Sequence, residues 1–339
     1  MAATNKPISF DGTEVKPGTS ATISLPVADL YTATSLNMTV QVINGRRPGP
    51  VLFVSAAVHG DELNGVEIIR RLLKLKALSS IRGTLIAVPI VNVHGFLYQS
   101  RYLPDRRDLN RSFPGSAKGS IAARLANTFY KQVVSRSDYG IDLHTGAINR
   151  SNLPQIRANL DDENTLELAN SFGAPVIINA NIRDGSLRAC AAELDIPILI
   201  YEAGEALRFD EVCIRAGLRG VLNVMRQIGM LPKKRSTRSF VPVLARTTGW
   251  VRAPASGIVT SKVSLGSRVV SGQRLAVISD PLGKDQEAVK AAFNGIVIGQ
   301  SNLPLAHEGD ALFNIAAFKS AAEVEHLVEE FTEAHEPTD

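Results

Sequence analysis

Residues 51–58, the apolar run VLFVSAAV, constrain this chain more than any other segment. The run follows the turn-prone Arg47-Pro48-Gly49-Pro50 and ends at His59. An apolar run of this length bounded by Gly and Pro fits a strand buried on both faces, so its sheet needs a layer on each side. The rest of the first 230 or so residues supplies those layers. Residues 64–77 carry Val66, Ile69 and Leu73 at helical spacing, with Arg70, Arg71 and Lys74 elsewhere. Residues 84–93 (TLIAVPIVNV) predict a second buried strand. Helices are expected over 121–134, 165–172 and 211–228, and strands over 139–144, 175–179 and 196–201. Residues 19–42 alternate weakly and predict one or two strands leading into the core. Strands alternating with helices define an α/β class, a mixed sheet with helices on both faces.

The texture changes after Pro232. From 249 to 316 the segments are short, apolar and separated by Gly257, Gly266, Gly272, Gly295, Gly299 and Gly309, which predicts a smaller all-β module. It contains an internal echo. Ala253-Pro254-Ala255-Ser256-Gly257-Ile258-Val259 resembles Ala291-Ala292-Phe293-Asn294-Gly295-Ile296-Val297, and 265–269 resembles 306–310. Two similar halves packed face to face are expected. A helical pattern returns only at Ala321, and the acidic stretch 323–339 reads as disordered. The expected organisation is a catalytic domain over 1–240, a β-barrel over 241–320 and a terminal helix or tail over 321–339.

Composition excludes several roles. The formal charge is +4 and no basic stripe with interleaved aromatics occurs, so no nucleic-acid partner is expected. Lys233-Lys234-Arg235 reads as a solvated linker. No run approaches the ~18 apolar residues of a membrane span, and residues 1–12 lack the apolar centre of a signal peptide, which makes the cytoplasm the expected compartment. Cys190 and Cys213 form no Cys-x-x-Cys pair and read as buried thiols.

Chemistry concentrates at strand ends. His59 and Glu62 are three apart, where residues of a helical turn share a face. His144 ends another expected strand, and ligands of α/β sheets bind at such ends. Two imidazoles and a carboxylate make the three-ligand set of a catalytic zinc, with the fourth position left to water. Each motif alone is weak and is more often a surface His and Glu near a helix start or a loop His after a strand; the joint occurrence points to a metal. Asp108-Leu109-Asn110-Arg111 sets a guanidinium beside an amide, which suits a planar carboxylate, although a solvated loop fits as well. Glu202 follows the apolar 196–201 and is placed to be a general base, with Glu205 a weaker candidate.

In order along the chain, V-H-G-D-E-L-N-G (58–65), D-L-N-R-S-F-P-G (108–115), I-D-L-H-T-G (141–146) and Y-E-A-G-E (201–205) resemble the succinylglutamate desuccinylase/aspartoacylase family. These are zinc-dependent amidohydrolases related in fold to metallocarboxypeptidases. The resemblance covers roughly 45–230. It implies one zinc per chain on His59, Glu62 and His144, and Glu202 as general acid/base. It implies Asn110 and Arg111 as the grip on a substrate carboxylate and Asp108 as the group that holds a ligand His. It implies an arginine that polarises the scissile carbonyl, with Arg101 the first choice and Arg107 the second. Arg188 is expected as a further substrate contact. The C-terminal module resembles a biotinyl/lipoyl-like barrel, as in a deacylase-like branch of the family. It lacks a Met-Lys-Met tip, and Lys284 and Lys290 stand in another context, so a non-carrier barrel beside the active site is expected. The resulting expectation is a deacylase acting on a small N-acyl substrate, with a homodimer as the assembly. The alternatives are a metallocarboxypeptidase acting on small peptides and a non-catalytic metal-binding or carrier protein.

Overall fold

The computed structural model describes residues 3–233, 242–284, 286–318 and 321–337. Lys234 and Arg235 of the basic run, and the expected boundary at 240/241, lie outside them. The chain opens with a small hairpin, β1 (Ile8–Phe10) and β2 (Thr13–Val15), then a long one, β3 (Thr19–Asp29) and β4 (Ser35–Asn44). The alternating part follows as β5 (Arg47–Ala56), α1 (Asn64–Leu72), β6 (Arg82–Val88), α2 (Val93–Leu97), α3 (Ile121–Gln132), β7 (Tyr139–Gly146) and β8 (Arg150–Ala158). It continues with α4 (Glu163–Phe172), β9 (Val176–Asn179), α5 (Leu187–Ala192), β10 (Ile198–Glu205) and α6 (Glu211–Gln227). The C-terminal module holds β11 (Val243–Ala245), β12 (Thr247–Arg252), β13 (Gly257–Ser261), β14 (Arg268–Val269) and β15 (Arg274–Ser279). After these come β16 (Gln286–Lys290), β17 (Gly295–Ser301), β18 (Leu305–Ala306), β19 (Ala311–Ala317) and α7 (Ala321–Glu333).

Among the described residues, one sheet runs in the order β12-β19-β17-β8-β10-β7-β5-β6-β4-β3, with β9, β11 and β14 attached at its side. Its centre, β10-β7-β5-β6, is parallel; β8 joins β10 antiparallel and β4 joins β6 antiparallel. Successive strand residues point to opposite faces, and β5 shows why its sequence is apolar throughout. Leu52, Val54 and Ala56 enter the core under α1, α4 and α6, whereas Phe53 enters the core under α3 and α5. This is the α/β mixed sheet with helices on both faces, joined to an antiparallel C-terminal part.

The internal echo has a geometric meaning. β13 and β14 belong to the first copy, β17 and β18 to the second. β14 pairs with β17, and β18 pairs with β13, so each copy lends its short strand to the other. β13 lies in a four-stranded sheet and β17 in the large one, and Val251, Leu275, Ile278, Val297 and Phe313 fill the space between them.

Several local expectations need correction. The helix expected over 64–77 stops at Leu72, and a 3-10 turn follows at Lys76–Ser80. The strand expected over 84–93 ends at Val88, because Pro89 removes a ladder donor and Asn92 accepts from Gly95 N to start α2. The strand expected over 196–201 runs on through Glu205. The acidic tail is a helix to Glu333, since Val324, Val328 and Phe331 form one apolar stripe and are buried. β8 and α5 were not expected at all.

Candidate metal centre

β5, β7 and β10 are parallel neighbours, so their carboxyl ends lie side by side. Each contributes one piece of chemistry. His59 lies just beyond β5, His144 two residues before the end of β7, and Glu202 opposite His144 in the β10–β7 register. Past β5 the chain turns sharply rather than entering a helix. Glu62 N donates to His59 O at 3.1 Å, which brings the two side chains together. Gly60 is needed there: a Cβ on it would stand 1.9 Å from the backbone carbon of Gly95, so only glycine lets the two backbones meet.

The donor atoms converge. His59 Nδ1 lies 2.8 Å from Glu62 Oε1 and His144 Nδ1 lies 2.7 Å from Glu62 Oε2. One ligand atom from each residue falls within 4.8 Å of the others, and all three residues are buried. The far ring nitrogens are held as well. His59 Nε2 is 3.2 Å from Asp108 Oδ1, and His144 Nε2 is 2.6 Å from Asp142 Oδ2. Asp142 in turn accepts from Ser55 Oγ at 2.7 Å. A carboxylate on Nε2 orients each ring and leaves Nδ1 as the atom available to a metal.

The electrostatics follow from the same contacts. Burial alone would push Glu62 up, but the charges of His59 and His144 and their hydrogen bonds outweigh it and hold the carboxyl well below its usual range. Burial likewise opposes charge on His144, yet Asp142 and Glu62 lift it well above the usual imidazole range. His59 is raised too, with burial again overcome by Glu62 and Asp108. Two imidazoles and one carboxylate, buried and oriented from behind, match the chemistry of a divalent cation such as zinc.

Arg101 joins this cluster. Its guanidinium donates to Glu62 Oε1 at 3.3 Å and to Asp108 Oδ2 at 3.1 Å. Arg107 does not: its side chain is 63% exposed, with Asp105 as its ionic neighbour. Asn110 is buried, and its Oδ1 accepts from Leu187 N at 2.9 Å, tying the D-L-N-R loop to the start of α5. Arg111 donates to the carbonyl of Asn110 at 2.5 Å. Arg188, on α5, donates to the carbonyls of Ala180 and Asn181; burial, reinforced by Arg157, pushes its guanidinium down to about 10. Glu202 accepts from Asn152 Nδ2 at 3.1 Å, with Arg157 at 3.7 Å from the same oxygen. Glu205 is occupied elsewhere, by Asn149 N and the Asn302 side chain.

Asn152 and Arg157 escaped the sequence reading, and Asp142, quoted within the motif at 141–146, was given no role there. Asp142 had a signal, since it precedes His144 by two in a strand and therefore shares its face. Asn152 and Arg157 had none, because β8 itself was not recognised.

Residues 48–228, more than half of the 339, match the succinylglutamate desuccinylase/aspartoacylase catalytic domain family. The chain is 26% identical over 269 residues to the N-alpha-acetyl-L-2,4-diaminobutyric acid deacetylase of Halomonas elongata, covering 76% of this chain and 79% of that one. In fold it is similar to the product-bound ectoine utilization protein EutE from Ruegeria pomeroyi, with a TM-score of 0.81, 23% identity, and 92% and 98% of the two chains covered. It is also similar to a succinylglutamate desuccinylase/aspartoacylase from Rhodobacter sphaeroides, with a TM-score of 0.78, 23% identity, and 88% and 95% covered.

Proposed function

Because the chain belongs to the succinylglutamate desuccinylase/aspartoacylase family, we propose that it is a zinc-dependent amidohydrolase that removes the acyl group from an N-acylated amino acid or a related small molecule. The observation that carries this reading is the pair of imidazoles aimed at one carboxylate, with Glu202 beside His144 on the next strand. The name of the Halomonas relative, an N-acetyl amino acid deacetylase, supports the substrate class.

His59, Glu62 and His144 would hold one zinc per chain. When bound, zinc polarises a carbonyl and acidifies a coordinated water. Glu202 accepts the proton of the attacking water and returns it to the leaving amine. Its Oε1 takes no hydrogen bond among the described residues, so one carboxylate oxygen stays open for that work. Arg101 stabilises the negative charge that grows on the carbonyl oxygen. Asn110, Arg111 and Arg188 grip the substrate carboxylate, a planar anion that suits guanidinium groups. Asp108 and Asp142 keep the two imidazoles oriented.

The test is amine release from a panel of N-acyl amino acids, run beside a panel of dipeptides. Hydrolysis of the N-acyl amino acids supports the reading. Cleavage of dipeptides alone would transfer the site to a metallocarboxypeptidase.

A further inference from the structure

The catalytic sheet does not end at the catalytic residues. β10, which carries Glu202, is flanked by β8, and the other edge of β8 is shared by β9, at Gln155–Ala158, and by β17 of the C-terminal barrel, at Arg150–Asn152. Gly299 of β17 stands opposite Asn152 of β8, and Gln300 and Ser301 pair with Ser151 and Arg150. Asn152 is the residue that donates to Glu202, from Nδ2 to Oε2 at 3.1 Å. An ionised carboxylate only accepts, so the amide must present its nitrogen to Glu202 and turn its oxygen away. That oxygen is turned toward Gly299. A Cβ on Gly299 would stand 2.9 Å from Asn152 Oδ1, closer than real Cβ contacts come. The backbone of Gly299 is not in the left-handed region; a Cβ there would crowd this amide and, at 3.3 Å, the Cβ of Asn314.

The barrel also holds the far end of β10. Asn302, just after β17, donates to Glu205 Oε2 at 2.8 Å and to Ser151 Oγ at 2.7 Å. The backbone N of Asn149 donates to Glu205 Oε1 at 2.8 Å, and that of Asn302 to the Asn149 carbonyl at 2.8 Å. Arg150 stacks on Trp250 of β12, 4.4 Å from the ring centroid. The barrel thus grips the catalytic strands just past Glu202, at Asn152 opposite Gly204 and at Glu205, while the sheet register bulges between Glu202 and Gly204.

We propose that Asn152 is the positioning residue of Glu202 and that the C-terminal barrel sets its amide through Gly299, so that the barrel acts on the catalytic carboxylate rather than serving as a detachable carrier. This rests on the assignment of Glu202 as general acid/base. A displacement of about 1 Å in such a group costs roughly 10²-fold in rate. The barrel's contribution is therefore expected in kcat and not in substrate binding.

The test uses the full-length enzyme with Asn152→Ala, Gly299→Ala and the double variant. Each single change is expected to lower kcat by roughly 10²-fold with KM and zinc content unchanged, and the double variant to be no worse than Asn152→Ala. Non-additivity is the mark of one pathway; a general packing defect would lower the melting temperature and add. Independently of activity, the crystal structure of Gly299→Ala is expected to show the Asn152–Glu202 hydrogen bond broken. Wild-type kcat in Asn152→Ala, additive losses, or an intact hydrogen bond in Gly299→Ala would overturn the proposal. A wild-type enzyme inert on every N-acyl amino acid would instead defeat the functional reading, and the Gly299→Ala structure would still decide the positioning.

Discussion

His144 Nε2 meets Asp142 Oδ2 at 2.6 Å from two positions along the same strand. The contact turns His144 Nδ1 toward Glu62, and Ser55 fixes the second oxygen of Asp142. One strand therefore supplies both a candidate ligand and the group that orients it.

Asp142→Asn keeps the shape and removes the charge. Zinc affinity is expected to fall roughly 10- to 100-fold, the usual consequence of losing such a partner. A competition titration against a chromophoric chelator measures it, and an unchanged affinity would deny Asp142 this role.

Glu202→Gln separates proton transfer from metal binding. Zinc stoichiometry should match wild type while kcat drops by about 10²–10⁴, the range for general acid–base catalysis. Elemental analysis of the variant beside its turnover number gives the answer; full activity would place the base elsewhere.

The two candidate arginines differ in placement. Arg101 contacts Glu62 and Asp108, while Arg107 is largely solvated beside Asp105. Arg101→Ala should lower kcat/KM by about 10²–10³, as removal of an oxyanion partner does, and Arg107→Ala should stay close to wild type. The reverse order in steady-state kinetics would reassign the carbonyl contact.

Zinc binding should expel protons at pH 7. Burial works against charge on His59 and His144, but Glu62 with Asp108, and Asp142 with Glu62, raise both above the ordinary imidazole value. Raised values mean the metal-free rings are more protonated at neutral pH than free histidine, and zinc must displace those protons. Apparent affinity therefore rises with pH and levels off once the raised values are passed. Calorimetry in two buffers of different ionisation enthalpy reads the release, and a heat independent of buffer would contradict it.

The sequence made the scaffold legible where burial was uniform. The run 51–58 announced β5, and His59 and Glu62 could be paired because residues three apart share a face in a helical turn, although a non-helical turn closes them in the structure. β8 stayed hidden because Asn152, Pro154, Gln155 and Arg157 interrupt its apolar pattern. Asn152 and Arg157 among them face Glu202, so chemistry there obscured the strand signal. Asn110 could be picked out as polar and chemical, but its bond to Leu187 N depends on a contact between residues 77 positions apart, which local pattern does not encode. The union of β17 with β8 is longer in range still; together with the pairing of β11 to β9 it joins the C-terminal module to the large sheet.

The most direct test of the account is the metal content of the purified full-length protein, paired with hydrolysis of N-acyl amino acids before and after chelation. The account predicts about one zinc per chain, loss of both metal and deacylation with chelator, and return of both on adding zinc. Deacylation that persists in demonstrably metal-free protein, or a protein that takes up no divalent metal, would contradict it.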